Sequence, residues 1–166
     1  MKNILVIDDS DDVRALVVTV LQDFGFSVRQ ATSGNQAIEM ITAEKPDLII
    51  SDVRMPGMDG HQLLSAIRET QTTAPIPFIL MTGSGSRDDF RRGMVSGADD
   101  YIEKPFTVDE LIEAVLSRLV RQTDMQMAAY QSANSLREAA WVPASNETDS
   151  KPLFELFTNA RKFVFA

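Results

Sequence analysis

The chain of 166 residues contains no cysteine and no long apolar run. Without cysteine it can form neither disulfide bonds nor thiolate nucleophiles. Its apolar runs are only a few residues long, whereas a membrane-spanning helix needs ~20 consecutive, mostly apolar residues. Residues 1–3 lead directly into a predicted strand and provide no apolar segment of a signal peptide. These absences predict a cytoplasmic protein that does not associate with membranes.

Basic residues are also scarce: 16 Lys and Arg stand against 24 Asp and Glu, which gives a net charge of −8. An acidic surface repels nucleic-acid phosphates, and residues 123–166 lack a basic helix of the kind that reads DNA. We therefore predict no direct binding of nucleic acid. The hydrophobic content of 44% and the length suit one soluble domain with some chain left over.

The chain does contain a regular alternation of apolar runs and amphipathic segments. Short β-branched or aliphatic runs predict buried strands, and apolar residues at helical spacing predict helices between them. The predicted strands comprise residues 3–7, 27–31, 48–52, 77–82 and 100–104. The predicted helices comprise residues 13–24, 34–44, 62–69, 87–96 and 107–122.

This alternation predicts an α/β fold with a doubly wound, five-stranded parallel sheet. The expected arrangement is a flavodoxin-like (βα)5 domain with right-handed crossovers and strand order 2-1-3-4-5. Residues 1–122 form this predicted domain. Residues 123–166 form a predicted C-terminal extension, which consists of a continued helix, a linker at residues 144–152 and short apolar segments.

Chemically distinctive residues stand where four of the predicted strands end. Asp8 and Asp9 follow strand one, Asp52 ends strand three, Thr82 ends strand four and Lys104 ends strand five. The order 2-1-3-4-5 brings these ends to one edge of the sheet, where ligands bind in open α/β folds. Carboxylates without His or Cys favour Mg²⁺, and a lysine suits phosphoryl oxygens. The pattern predicts phosphoryl transfer with Asp52 as the nucleophile.

Each of these residues also has a structural explanation. The acidic cluster could stabilise a helix N-terminus, because Asp11 and Asp12 fall in or near the first turn of the helix after strand one. A lysine at a strand end could simply pair with a nearby aspartate. The functional interpretation rests on the coincidence of all five residues at successive strand ends.

Five separated motifs resemble the receiver domain of two-component response regulators, in order and with that family's spacing over residues 3 to about 122. They are Asp8-Asp9, Asp52 with Met55-Pro56-Gly57-Met58-Asp59-Gly60, Met81-Thr82-Gly83, Gly97-Ala98-Asp99-Asp100-Tyr101 and Lys104-Pro105-Phe106. The resemblance implies that Asp52 accepts a phosphoryl group from a sensor histidine kinase or phosphotransfer protein. It implies a phosphoacceptor that assists its own phosphorylation and dephosphorylation rather than an enzyme.

The resemblance also implies a role for each site residue. Asp9, Asp52 and the backbone carbonyl of Arg54 would bind Mg²⁺ directly, Asp8 would act mostly through water, and Mn²⁺ could substitute. Lys104 would hold a phosphoryl oxygen, and the Lys104–Pro105 bond is expected to be cis. Thr82 and Tyr101 match the family's switch pair, which reshapes the face formed by the fourth helix, fifth strand and fifth helix. Tyr101 could equally be a static packing residue.

The C-terminal extension carries no identifiable chemistry. Residues 123–141 are compatible with a helix but lack a clean heptad. They could extend the last helix, pack on the receiver domain or pair with another chain in a homodimer. The downstream partner or output domain is not identified by these residues.

Two further classes of function remain as alternatives. The first is a protein-interaction module that works without phosphorylation. The second is a phosphatase-like hydrolase with an aspartate nucleophile, which Asp52-Val53-Arg54 disfavours because the second carboxylate of such enzymes is missing. A flavin or dinucleotide binder would need a glycine-rich loop after strand one, where Asp8-Asp9-Ser10 would instead repel phosphate.

Overall fold

A computed structural model describes residues 1–83 and 97–140 of the chain. Its centre is a five-stranded parallel sheet in the order β2-β1-β3-β4-β5, which confirms the predicted topology. The strands are β1 (Asn3–Ile7), β2 (Ser27–Ala31), β3 (Leu48–Asp52), β4 (Phe78–Thr82) and β5 (Asp100–Glu103). The central strands β1 and β3 consist largely of aliphatic residues because helices cover both faces of the sheet.

The helices are α1 (Asp11–Asp23), α2 (Gly34–Ala43), α3 (Gly60–Glu69) and a C-terminal helix (Val108–Ala140). Side chains that precede each helix satisfy its first amides. The hydroxyls of Ser10 and Ser33 accept hydrogen bonds from the amides of Val13 and Gln36. Asp59 forms a capping box with Gln62, and Thr107 forms another with Glu110. These caps place the start of each helix directly after a strand end or a short loop.

The sheet separates two apolar layers. Along β1, Ile4 and Val6 face one layer while Leu5 and Ile7 face the other, because successive side chains of a strand alternate. The first layer packs the sheet against α1 and the C-terminal helix, and the second packs it against α2 and α3. The side chains at the centre of both layers are fully removed from solvent. The packing holds the carboxyl ends of the strands along one edge.

The structure differs from the predicted element limits by one or two residues at several ends. The fourth strand starts at Phe78 rather than residue 77, and the fifth ends at Glu103 rather than residue 104. Helix α3 starts two residues early because Asp59 caps it. Helix α1 starts at Asp11, and α2 ends at Ala43. The predicted helix at residues 87–96 and the segments after residue 140 lie outside the described residues.

The C-terminal helix continues well past residue 122, as the sequence allowed. The chain divides into two compact units, Met1–Ala129 and Tyr130–Ala166, of which the second is described as helical up to Ala140. The predicted domain limit at residue 122 stays a prediction. No helix in residues 1–83 or 97–140 is both long and apolar enough to cross a bilayer.

The start of the sheet is fastened by the carboxylate of Asp47. One of its oxygens accepts a hydrogen bond from the Asn3 amide at 2.7 Å, and the other accepts one from Lys2 Nζ at 2.8 Å. Burial alone would raise the pKa of Asp47, but the Asn3 amide and the Lys2 ammonium outweigh it, so the pKa lies below its usual value. The charged carboxylate therefore stabilises the junction between β1 and β3.

We expect Asp47→Asn to lower the free energy of unfolding by about 1 kcal/mol at neutral pH, because a charge-assisted hydrogen bond becomes a neutral one. A depressed folded-state pKa stabilises the fold above the unfolded value of 3.8 and loses that effect as pH falls through the folded value. The difference between variant and wild type should shrink toward about pH 3. Urea denaturation at both pH values measures it. Glu39→Gln, at an exposed position of α2, is the control; an equal effect of both variants would contradict the assignment.

Candidate phosphoryl-acceptor site

The strand ends bring four of the predicted site residues to one edge of the sheet. Asp8 follows β1, Asp52 ends β3, Thr82 ends β4 and Lys104 follows β5. Parallel pairing sets Ile7 beside Ser51 and Asp52 beside Met81, so the ends of β1, β3 and β4 are nearly level. The sequence prediction of a shared edge is confirmed for these elements.

The geometric centre of the site is the ammonium group of Lys104. Its Nζ lies 2.7 Å from Asp8 Oδ2 and 2.5 Å from Asp52 Oδ1. Asp8 and Asp52 are separated from Lys104 by 96 and 52 residues in sequence. The interaction therefore joins the ends of β1, β3 and β5. In a simple structural ion pair, Lys104 would contact one aspartate. Here its ammonium group contacts two carboxylates.

The second oxygen of each carboxylate is held by a backbone amide two residues later. Asp8 Oδ1 accepts from the Ser10 amide at 2.9 Å, and Asp52 Oδ2 accepts from the Arg54 amide at 2.7 Å. Both are Asx turns, in which an aspartate side chain closes a turn on its own backbone. The same local motif thus fixes both carboxylates at the ends of β1 and β3. These amide contacts were not predicted from the sequence.

Both carboxylates are buried: Asp8 is 1% exposed and Asp52 is 7% exposed. Burial is the largest influence on Asp52 and raises its pKa above the usual value, with help from the charge of Asp8 and against the effect of Lys104. Burial would lower the pKa of Lys104, but the two carboxylates raise it. Lys104 is therefore protonated, and its single positive charge contacts two carboxylates that are largely removed from solvent.

Two carboxylates contact one ammonium group at this edge, so we compared the donor atoms of the site with those that Mg²⁺ prefers. Asp8 and Asp52 present only oxygen donors, and Mg²⁺ takes one or two carboxylates while it keeps several waters. The donor chemistry therefore fits. Asp9, by contrast, is exposed, and no three His, Cys, Asp or Glu side chains in the described part of the chain form a metal-binding group. The predicted ligand set, with Asp9 and the Arg54 carbonyl, stays a prediction.

The predicted switch pair lies on one face of the sheet. Tyr101 pairs in register with Leu80, two residues before Thr82, and strand alternation directs both Thr82 and Tyr101 to the side of α2 and α3. Thr82 is half-buried, and the Tyr101 hydroxyl is removed from solvent. Burial raises the pKa of Tyr101 to about 12, so its hydroxyl is a neutral donor at physiological pH. The Lys104–Pro105 bond is cis, as the family resemblance implies.

Arg54 and Gly83 lie together at the edge of the site. A Cβ atom added to Gly83 would stand 3.4 Å from Nη2 of Arg54. The guanidinium group therefore reaches past Asp52 to the residue that follows Thr82. The single histidine, His61, is a buried residue in the first turn of α3.

Gly60 has a role in the site that the sequence analysis included in a motif but did not explain. A Cβ atom at this position would lie 2.3 Å from the backbone oxygen of Asp52 and 2.9 Å from Leu80 Cδ2. The Gly60 amide donates a hydrogen bond to the Val53 carbonyl at 2.9 Å. The absence of a side chain therefore lets α3 begin directly against the end of β3.

We expect Gly60→Ala to lower the free energy of unfolding by about 1–3 kcal/mol, because a methyl group would overlap the Asp52 carbonyl. Thermal or urea unfolding measures the change. Gly83→Ala is the matched control, since its methyl group would meet only the flexible end of Arg54 at 3.4 Å. Equal stability of the two variants would show that α3 does not depend on this close approach.

Comparisons with known proteins agree with the geometry of this edge. A family model described as the response regulator receiver domain matches residues 4–116. The chain is 37% identical over 122 residues to the phosphate regulon transcriptional regulatory protein PhoB of Pseudomonas aeruginosa, covering 74% of this chain and 53% of PhoB. It is 38% identical over 124 residues to the DNA-binding dual master transcriptional regulator RpaA of Synechocystis, covering 75% of this chain and 51% of RpaA. The chain spans about half the length of these curated relatives.

Solved structures show the same similarity. A putative response regulator from Chloroflexus aurantiacus matches with a TM-score of 0.70 and 35% identity, covering 72% of this chain and 98% of that one. The chemotaxis response regulator CheY4 of Vibrio cholerae matches with a TM-score of 0.68 and 31% identity, covering 71% and 98%. The family model, the curated relatives and the solved structures all indicate the same family as the sequence motifs and the sheet order.

Proposed function

Because the chain belongs to the response regulator receiver domain family, we propose that Asp52 accepts a phosphoryl group from a sensor histidine kinase or phosphotransfer protein. The observation that carries this proposal is the Lys104 ammonium held between Asp8 and Asp52 at 2.7 and 2.5 Å. A phosphoryl group on Asp52 brings about two negative charges. The Lys104 ammonium already contacts the carboxylate that would carry those charges.

The proposed step is a transfer between two nucleophiles. An oxygen of the Asp52 carboxylate attacks the phosphorus atom of a phosphohistidine, so that an O–P bond forms and the N–P bond breaks. The bonding electrons return to the histidine ring, which takes up a proton from water. The Arg54 amide, 2.7 Å from Asp52 Oδ2, orients the carboxylate. Lys104 stabilises the negative charge on the transferred group.

Asp8, Asp9, Asp52 and the backbone carbonyl of Arg54 would hold Mg²⁺ at this edge, and Mn²⁺ could substitute. A bound divalent cation would offset the negative charge of the carboxylates and the phosphoryl oxygens. Three features of the structure support a cation there: the buried pair of carboxylates, the single lysine between them and the oxygen-only donors.

The proposed role is that of a phosphoacceptor that assists its own phosphorylation and dephosphorylation, rather than an enzyme that turns over a separate substrate. The reacting group is a side chain of the protein itself, so each modified molecule stays modified until the aspartyl phosphate is hydrolysed. Thr82 and Tyr101 would report the modification. The face they would control includes a groove of about 570 Å³ between β5 and the C-terminal helix, lined by Tyr101, Lys104 and Arg118 among others.

The output of this switch would be delivered by a downstream partner or a further domain. Both curated relatives described above are named as transcriptional regulators, and the chain spans about half of each. The groove beside β5 contains Lys104, which contacts the acceptor, and Arg118, which bonds Asp100 of the same strand at 3.0 Å. A partner that binds there would sense any shift of β5. The cytoplasmic location stays a prediction.

We expect incubation with acetyl phosphate and Mg²⁺ to add one phosphoryl group to the wild-type chain, because Asp52 is a fixed, desolvated nucleophile beside a cation. Intact-mass spectrometry measures the adduct. Asp52→Asn should show none, and omission of the divalent cation should greatly reduce the wild-type adduct. Asp23→Asn, at an exposed position at the end of α1, serves as the control and should be modified like the wild type.

An adduct that persists in Asp52→Asn would place the modified residue elsewhere. The absence of an adduct in correctly folded wild-type protein, both with acetyl phosphate and with a phosphorylated histidine kinase, would favour a module that works without phosphorylation.

We expect Thr82→Ala still to accept the phosphoryl group, because the acceptor is Asp52, but to do so more slowly and to lose most of the response at Tyr101, because the hydroxyl of Thr82 is proposed both to donate to the phosphoryl oxygens and to signal the modification. Mass spectrometry checks the adduct, and NMR of the Tyr101 ring, assigned with Tyr101→Phe, checks the response. Thr32→Ala, which alters the residue that follows β2 at the same edge, is the control. An unchanged Tyr101 response in Thr82→Ala would make Tyr101 a static packing residue.

A further inference from the structure

Arg14 lies at the end of the first turn of α1, and its side chain folds back to the end of β1. Its guanidinium Nη1 donates a hydrogen bond to the backbone carbonyl of Asp8 at 2.7 Å, and its Nη2 contacts the carboxylate of Asp11. The Arg14 side chain is only 11% exposed, whereas that of Asp11 is 87% exposed. Solvent therefore screens the pairing with Asp11, and the bond to Asp8 is the better shielded of the two contacts.

The bond from Arg14 holds the peptide group between the two aspartates that follow β1. The Asp8 carbonyl belongs to the peptide group that joins Asp8 to Asp9, and such groups are planar. A donor that fixes this carbonyl therefore restricts the direction in which the chain proceeds to Asp9. The Ser10 amide and Lys104 Nζ, by contrast, bond the two carboxylate oxygens of Asp8, at 2.9 and 2.7 Å. Arg14 thus adds to the contacts of the carboxylate a contact with the backbone.

The charge of Arg14 does not by itself explain this placement. Arg14 is the only basic residue between Lys2 and Arg29, and it follows a segment with four aspartates among residues 8–12. A positive charge there would compete with a divalent cation for the carboxylates. Its bond to Asp8, however, is made to the uncharged carbonyl and not to the carboxylate. A guanidinium offers five N–H donors in a rigid fork, which suits a group that orients the backbone.

We propose that Arg14 is a positioning residue of the acceptor site: through the Asp8 carbonyl it holds the Asp8–Asp9 segment in the conformation that binds a divalent cation. This inference rests on the proposed function, which assigns both aspartates to that cation. Removal of a group that orients metal ligands commonly weakens metal binding by about 10–100-fold. Loss of Arg14 should therefore weaken Mg²⁺ binding, whereas loss of a nearby positive charge alone should strengthen it.

Titration of the unphosphorylated full chain with Mg²⁺, followed by NMR of its backbone amides, tests the proposal without a transfer step. The amides of Ser10 and Arg54 are suitable probes, because they donate to the carboxylates of Asp8 and Asp52. We expect Arg14→Met, which keeps an unbranched stem but removes the donors and the charge, to raise the Mg²⁺ dissociation constant at least ~10-fold. Arg14→Lys, which retains a charged donor, should recover part of this loss.

Arg29→Met is the matched control. The Arg29 side chain is 21% exposed, and it donates to the carbonyls of Met40 and Glu44 and to Oδ1 of Asn3, the first residue of β1. Its loss removes one positive charge and hydrogen bonds to two carbonyls, but at the opposite end of the sheet from the acceptor. Arg29→Met should therefore lower the unfolding temperature, measured by circular dichroism, and leave the Mg²⁺ dissociation constant at the wild-type value.

A dissociation constant in Arg14→Met that equals or falls below the wild-type value, in a wild type that acetyl phosphate still modifies, would overturn the positioning role and leave the acceptor role of Asp52 intact. Equal weakening of Mg²⁺ binding by Arg14→Met and Arg29→Met would also overturn it, since a general loss of stability would then explain the effect. If the wild-type chain neither binds Mg²⁺ nor accepts a phosphoryl group, the proposed function fails and this inference fails with it.

Discussion

The ammonium group of Lys104 holds together strand ends that would otherwise repel each other. Asp8 and Asp52 are both buried and contact the same ammonium group, so their negative charges would repel each other without it. The hydrogen bonds of 2.7 and 2.5 Å from Lys104 offset this cost and draw the end of β5 toward β1 and β3. The lysine cannot fully compensate two negative charges. The remaining charge is a local destabilisation, and it is also what would make the site attract a cation and a phosphoryl group.

The backbone around this interaction is arranged so that the acidic side chains have little freedom. Two Asx turns orient the carboxylates of Asp8 and Asp52 through backbone amides. Gly60 has no side chain, which allows α3 to begin in close contact with the Asp52 carbonyl. Oriented amides cost no reorganisation when charge changes on the carboxylate. The site therefore combines a fixed acceptor with a half-buried Thr82, the residue that the proposed function requires to move.

Much of this arrangement could be predicted from the sequence because it depends on local periodicity. The aliphatic runs of β1 and β3 match the predicted limits residue for residue, since strands buried on both faces have a strong apolar signal. The strand order follows from short connections and right-handed crossovers. The exposed state of Asp9 and the close approach at Gly60 could not be predicted, because each depends on tertiary packing that no periodicity encodes. The helix beyond residue 122 was only an open alternative, because residues 123–141 lack a clean heptad.

The C-terminal helix is joined to β5, the strand that carries Tyr101 of the predicted switch pair. The helix follows Lys104 through Pro105 and the Thr107 cap, and Arg118, next to the buried residue Leu119, bonds Asp100 at the beginning of β5. Both ends of β5 are thus tied to this helix. Because the proposed switch acts through Thr82 and Tyr101, on β4 and β5, any displacement of β5 would have to move or strain the bonds that join it to the helix. The helix is therefore the first element outside the sheet that a change at the acceptor site would reach.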